Sequence, residues 1–374
     1  MPGRYSKFIS ALTILVSLQA QAASEVPPCA INVDVKAPEW ITSCEAAIAR
    51  ESDVKRRAPL LFGRAYYAVE QFRYDDAIAD LNAALAADPD NPAYLRERAY
   101  VHGELSNLDE AIGDLDRVIA QKPKEAYGYR ERAYARHYRG DLKGAYEDRA
   151  REFELTPDSL DALVARGRAA LWLGRFDDAK ADATRARAGA KVAGNDDVYR
   201  SASQLLSHIA LWRDTTRGAD AAKVCSEDLE TDKSGTPKLI GDCSRAFLEA
   251  KTGVAKADAL TSRSTAWLVA EDSQNDSTGD LRLALAFDPA NVARYINLGY
   301  SFLMSSHSWA AKLEFDRALA LDKHWLALAG RAAARLNLGD KEGALADARA
   351  SNELHPNNEA AAGVLADERL QEAK

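Results

Sequence analysis

The sequence lacks most of the signatures by which a chain announces chemistry. It has no C-x-x-C pair, and its six histidines, at 102, 137, 208, 307, 324 and 355, show no metal-ligand spacing. That argues against a metal site, and nothing calls for another cofactor. No G-x-S-x-G, H-E-x-x-H, phosphate loop or dinucleotide fingerprint occurs, so no catalytic residue is assigned. Glycine and proline are sparse, at 21 and 12, while alanine and leucine recur throughout, which favours helices. Cationic excess is missing too. With 49 lysines and arginines against 57 acids the net charge is -8, which argues against nucleic acid or an anionic membrane surface as partner. Beyond the first residues no apolar run is long enough to span a bilayer.

What is present begins with an export signal. Arg4 and Lys7 precede a short apolar stretch from Phe8 to Leu18, and Ala20-Gln21-Ala22 supplies a small-x-small cleavage pattern. Residues 1–22 read as a secretory signal peptide, too short for a membrane anchor. The expected location is the periplasm. Export gives the four cysteines meaning. Four allow three pairings, and loop-closure entropy favours the two local ones, Cys29 with Cys44 and Cys225 with Cys243.

A period of 34 organises the rest. Ala77, Ala111, Ala145 and Ala179 are 34 residues apart, and Pro89, Pro123 and Pro157 keep the same step. Small residues recur at the eighth place of each copy, at Ala65, Ala99, Ala133 and Gly167, where two helices would meet closely. Proline after each second helix stops it and turns the chain back. Further copies follow a gap: a degenerate one with Ser277 in place of the alanine, one keeping Gly299, Ala311 and Ala318, and one keeping Ala344 and Pro356.

These lines resemble the tetratricopeptide repeat (TPR) family. The resemblance implies an all-α, right-handed α-solenoid of helix pairs, here in two related halves. Each half opens with a cysteine couple followed by a helix, similar to an exported bacterial type whose array is led by a cysteine-stapled helix. The expected organisation is a signal peptide over 1–22, a stapled cap over 23–57 and four repeats over 58–193. An extra helix, a loop and a second stapled helix would fill 194–257, three repeats 258–358, and a capping helix 359–374. Acid pairs such as Asp75-Asp76 and Asp177-Asp178 fall where the second helix of a repeat begins, and capping explains them.

Arginines divide into two groups once the copies are set in register. Arg64, Arg98, Arg132 and Arg166 share the seventh place, and Asp80, Asp114, Asp148 and Asp182 the twenty-third; Arg331 and Asp347 repeat the couple. A recurring intra-repeat arginine–carboxylate bridge is expected, fixing helix register more than adding net stability. The resemblance places other first-helix positions on a concave groove: Arg96, Tyr100, Tyr127, Arg130, Tyr134, His137, Tyr138, Arg168 and Trp172. Aromatics with a few cations suit an extended peptide with apolar and acidic groups. In the last repeats the same places hold Ile296, Tyr300, Leu303, Met304, Leu326 and Leu336, a greasier face or one covered by the chain itself. The expected function is a non-catalytic scaffold for a protein or peptide of the cell envelope. The alternative is a glycan-binding accessory protein, or enzyme subunit, of envelope polysaccharide handling.

Overall fold

A computed structural model describes Cys29, residues 38–213, Cys225, residues 237–269 and residues 274–367. The signal-peptide reading, most of the 23–37 stretch, the polar loop over 226–236 and residues 368–374 lie outside the described residues. Among the described residues there are helices and turns and no strand. The chain forms two compact units, one ending at His102 and the other starting at Gly103.

The first unit holds α1 (Pro38–Arg50), α2 (Val54–Glu70), α3 (Tyr74–Ala87) and most of α4 (Pro92–Glu104). The two local cysteine pairings are both formed. Cys29 is bonded to Cys44, with Cα atoms 4.7 Å apart. The staple sits directly on α2: a Cβ added at Gly63 would lie 2.1 Å from the Cys29 carbonyl oxygen, so only glycine admits this approach. Trp40 of α1 stacks on Tyr67 of α2 at 5.7 Å, covering apolar surface that a terminal repeat would otherwise expose. Ala65 and Ala77 are fully buried where α2 meets α3.

The second unit continues with α5 (Leu108–Gln121), α6 (Ala126–Tyr138), α7 (Leu142–Leu155), α8 (Leu160–Trp172), α9 (Phe176–Ala193) and α10 (Asp196–Arg213). After Cys225 come α11 (Pro237–Glu249), α12 (Gly253–Val269), α13 (Gln274–Phe287), α14 (Val292–Met304), α15 (Ser308–Leu321), α16 (Trp325–Asn337), α17 (Lys341–Leu354) and the short α18 (Glu359–Leu365). Each packs on its sequence neighbour, as stacked helix pairs of a solenoid require. The extra helix expected over Val198–Trp212 is α10, laid on α8 and α9. Cys225 and Cys243 form the second disulfide, with Cα atoms 4.8 Å apart.

Turn chemistry carries the same period. The residue at the fifteenth place adopts a left-handed conformation at Phe72, Ser106, Gly140 and Gly174, with φ of 57°, 53°, 86° and 71°. After Phe72, Gly140 and Gly174 the next amide reaches back five residues to close the helix end, as Asp141 does to the Arg136 carbonyl at 2.9 Å. Glycine suits this place; Phe72 and Ser106 occupy it at a steric cost. The following acids sit in the first turn of α3, α5 and α9. Asp141 and Asp340 cap α7 and α17 directly, each accepting an amide hydrogen bond at 2.9 Å.

Candidate functional site

The seventh-place arginines turn inward. Arg64 meets Asp80 through two hydrogen bonds of 2.7 Å. Arg132 meets Asp148 at 2.9 and 2.6 Å, Arg166 meets Asp182 at 2.8 and 2.6 Å, and Arg331 meets Asp347 at 2.7 Å twice. Each is a fork matched to both carboxylate oxygens. The third guanidinium nitrogen reaches the preceding helix: Arg132 donates to Asp116 at 2.5 Å, Arg331 to Asp316 at 2.8 Å and, in the first unit, Arg98 to Asn82 at 2.7 Å. One side chain thus ties three helices together. The hydrogen bonds to Asp148 and Asp347 raise the pKa of Arg132 and Arg331, holding both charged. Arg136 and Arg335, one turn on, add a further bond to the same aspartates at 2.9 and 2.8 Å.

A further fork lies in the degenerate repeat. Arg263 donates to both oxygens of Asp280 at 2.8 and 2.7 Å and to the Ser244 hydroxyl at 2.8 Å. Its guanidinium lies over the rings of Trp172 and Trp212, at 4.7 and 4.6 Å. The couple is separated by 17 residues rather than 16, which hides it from a strict register search.

Around this cluster the second unit forms a half-open cavity of about 810 Å³. Tyr134, His137 and Tyr138 of α6 and Arg168 and Trp172 of α8 line it, so five of the nine sequence-predicted groove residues come together there. Residues that sequence reasoning passed over complete the walls: Asp161 of α8, Gln204, His208 and Trp212 of α10, and Arg263 and Trp267 of α12. The distant elements meet because α13 packs beside α6. There Arg282 donates to the Tyr134 hydroxyl at 2.9 Å, and a Cβ added at Gly140 would lie 3.5 Å from the Phe287 ring.

The five differ in what holds them. Trp172 makes edge contacts with His137, Trp212 and Phe247 at 5.1, 5.4 and 5.5 Å, so its ring is a packed wall. His137 is pushed down to about 4, by burial first and then by Arg149 and Arg263, and is neutral at pH 7. Tyr134 remains 39% exposed, and Arg168 is exposed. Tyr127 and Arg130 do not line the cavity; the Arg130 guanidinium lies 5.5 Å from the Tyr127 ring centroid and 3.4 Å from Glu131. Arg96 and Tyr100 are exposed on α4 in the first unit. In the last repeats Ile296 and Leu336 are buried and Tyr300 donates to the Leu326 carbonyl at 3.2 Å, whereas Met304 is 65% exposed. Among the described residues no group of histidine, cysteine and carboxylate side chains is placed to hold a metal ion.

Residues 60–126 match the tetratricopeptide repeat family. These residues carry tetratricopeptide repeats. The matched segment covers two of the copies, and the forks at Arg132, Arg166 and Arg331 carry the same helix-pair geometry beyond it. No curated protein matches the chain in sequence. Among solved structures it is similar to the TPR domain of Arabidopsis OM64, at 23% identity over 33% of this chain and 99% of that one, with a TM-score of 0.31. A TPR protein from Parabacteroides merdae is 14% identical over 84% of this chain and 98% of its own, with a TM-score of 0.32. Yeast Tom70 is 17% identical over 75% and 67%, also with a TM-score of 0.32. TPR proteins bind protein partners, and no helix among the described residues is long and apolar enough to cross a membrane.

Proposed function

We propose that this TPR chain is a non-catalytic scaffold of the periplasm that holds an extended segment of a cell-envelope protein. The observation that carries the reading is the cavity of about 810 Å³, which gathers Tyr134, His137, Tyr138, Arg168 and Trp172 on one inner face. Large rigid rings offer contact area at low entropic cost, and an exposed arginine beside them supplies a directional polar contact. Both disulfides support an oxidising compartment, and no catalytic constellation is present in the sequence to suggest turnover.

The test is affinity capture from periplasmic extract with the wild-type chain beside a Tyr134→Ala/Arg168→Ala variant. An envelope protein held by wild type and lost by the variant is the expected result; both side chains are exposed, and a thermal melt with an Arg168→Ala single variant beside it separates lost contact from loss of the Arg282–Tyr134 bond. Equal retention by the two would remove the cavity from the function. Binding of envelope polysaccharide in place of protein would favour sugar rings stacked on the same aromatics.

A further inference from the structure

Five charged side chains line the cavity: Arg149, Asp161, Arg168, Arg263 and Asp280. Three are spoken for within the chain. Arg263 and Asp280 neutralise one another, and Arg149 donates to Glu152 at 2.7 Å. Of the two histidines in the wall, His137 is neutral at pH 7, and His208 packs its ring 5.1 Å from that of Trp267. Asp161 and Arg168 remain, both exposed, both on α8 and neither engaged by a partner among the described residues. Favourable interaction with the helix N-terminus accounts for an acid anywhere in the first turn. It does not account for an acid on the cavity side of that turn with an arginine two turns further along the same face.

Seven residues of helix span about 10 Å along the axis. Three residues of polyproline II chain, at about 3.1 Å each, span nearly the same distance and, at three residues per turn, bring side chains three apart onto one face. Between the two charges α8 presents Val164 and Ala165 to the cavity, a smooth apolar floor. We infer that the cavity selects an extended peptide bearing a cationic and an anionic side chain three residues apart, with apolar residues between them, the cation set against Asp161 and the anion against Arg168. This rests on the scaffold reading above and adds to it the charge pattern of the bound segment. The complementarity also fixes direction, because a peptide with the two charges exchanged would set like against like at both ends.

The experiment is selection from a random octapeptide library displayed on phage, against the full wild-type chain and against an Asp161→Lys/Arg168→Glu double variant. Both substitutions are on exposed positions, and a thermal melt checks that the variant folds. Wild type is expected to enrich peptides with a basic and an acidic residue three positions apart, in one order. The double variant is expected to enrich the opposite order and to bind the wild-type peptides about tenfold more weakly. Enrichment without that spacing, or the same choice by both proteins, overturns the charge pattern and leaves the scaffold reading standing. No enrichment of any peptide removes the scaffold reading, and this inference falls with it.

Discussion

Arg64 with Asp80 and Arg263 with Asp280 are the same fork in different surroundings. In the first unit the Arg64 and Asp80 side chains are 35% and 9% exposed; in the second the Arg263 and Asp280 side chains are 2% and 4% exposed. Geometry scarcely distinguishes them, since all four hydrogen bonds lie between 2.7 and 2.8 Å. What differs is the rest of the shell. Arg64 has water on one side, while Arg263 is closed in by two tryptophan rings and the Ser244 hydroxyl. The repeat sets the angle at which arginine and carboxylate meet, and the neighbours then decide what losing one of them costs. At Arg64 water can replace the lost partner, but at Arg263 a charge would be stranded in the core beneath the cavity.

The sharpest way to break this comparison is at the buried end. Asp280→Ala should cost about 3–5 kcal/mol in urea unfolding, because it leaves the guanidinium buried without its carboxylate. Trp172 and Trp212 stack on that guanidinium, so their fluorescence reports the transition. Replacing both partners by apolar residues, as in Arg263→Met/Asp280→Leu, should recover most of the loss, since the pair is a register device whose desolvation offsets its attraction. A loss under about 1 kcal/mol for Asp280→Ala would place the buried fork in the same class as the exposed one.

His137 offers a second, smaller probe of the same cluster. Its folded pKa of about 4 lies below the ordinary 6.5, so the unfolded chain takes up the proton first as the medium is acidified. The stability it contributes is complete above pH 6.5, is lost as pH falls towards 4, and changes no further below that. From pH 7 to 4.5 the wild-type chain should lose on the order of 2 kcal/mol that a His137→Gln variant does not lose. Parallel urea titrations of the two proteins at both pH values measure it. Equal slopes would mean that the ring reaches water and that the walls beside Trp172 are looser than their contacts suggest.

How far the sequence reached follows from what repeats and what does not. Identical steps of 34 put identical side chains at identical angles, so the forks at Arg64, Arg132, Arg166 and Arg331 could be foreseen from spacing alone. The bonds from Arg98, Arg132 and Arg331 back to Asn82, Asp116 and Asp316 have the same periodic cause and were equally available to a reader who aligned the twenty-fifth place. Arg263 and Asp280 were not, because one extra residue between them breaks the register. Nor was the cavity. It depends on Arg282 finding Tyr134 across 148 residues of chain, a closure that no local pattern encodes. For that reason Trp172 and His137, placed on a groove by their repeat positions, face a surface that the chain partly fills itself. Asp161 was legible at the second place of its repeat and drew no notice, since an acid in a first turn already has an ordinary explanation.

The exposed fork is where the comparison predicts least. Arg64→Ala removes both hydrogen bonds to Asp80, but the side chain is about one-third exposed, so water reaches the carboxylate once the guanidinium is gone. The expected cost is about 0.5–1 kcal/mol in thermal or urea unfolding, a fraction of that at Asp280. The Gly63 approach to Cys29 and the stacking of Trp40 on Tyr67 continue to hold α1 on α2 without it. A cost as large as that of Asp280→Ala would mean that helix register itself depends on each fork. The shell around the pair would then be irrelevant, and burial would no longer be the variable that separates the two sites.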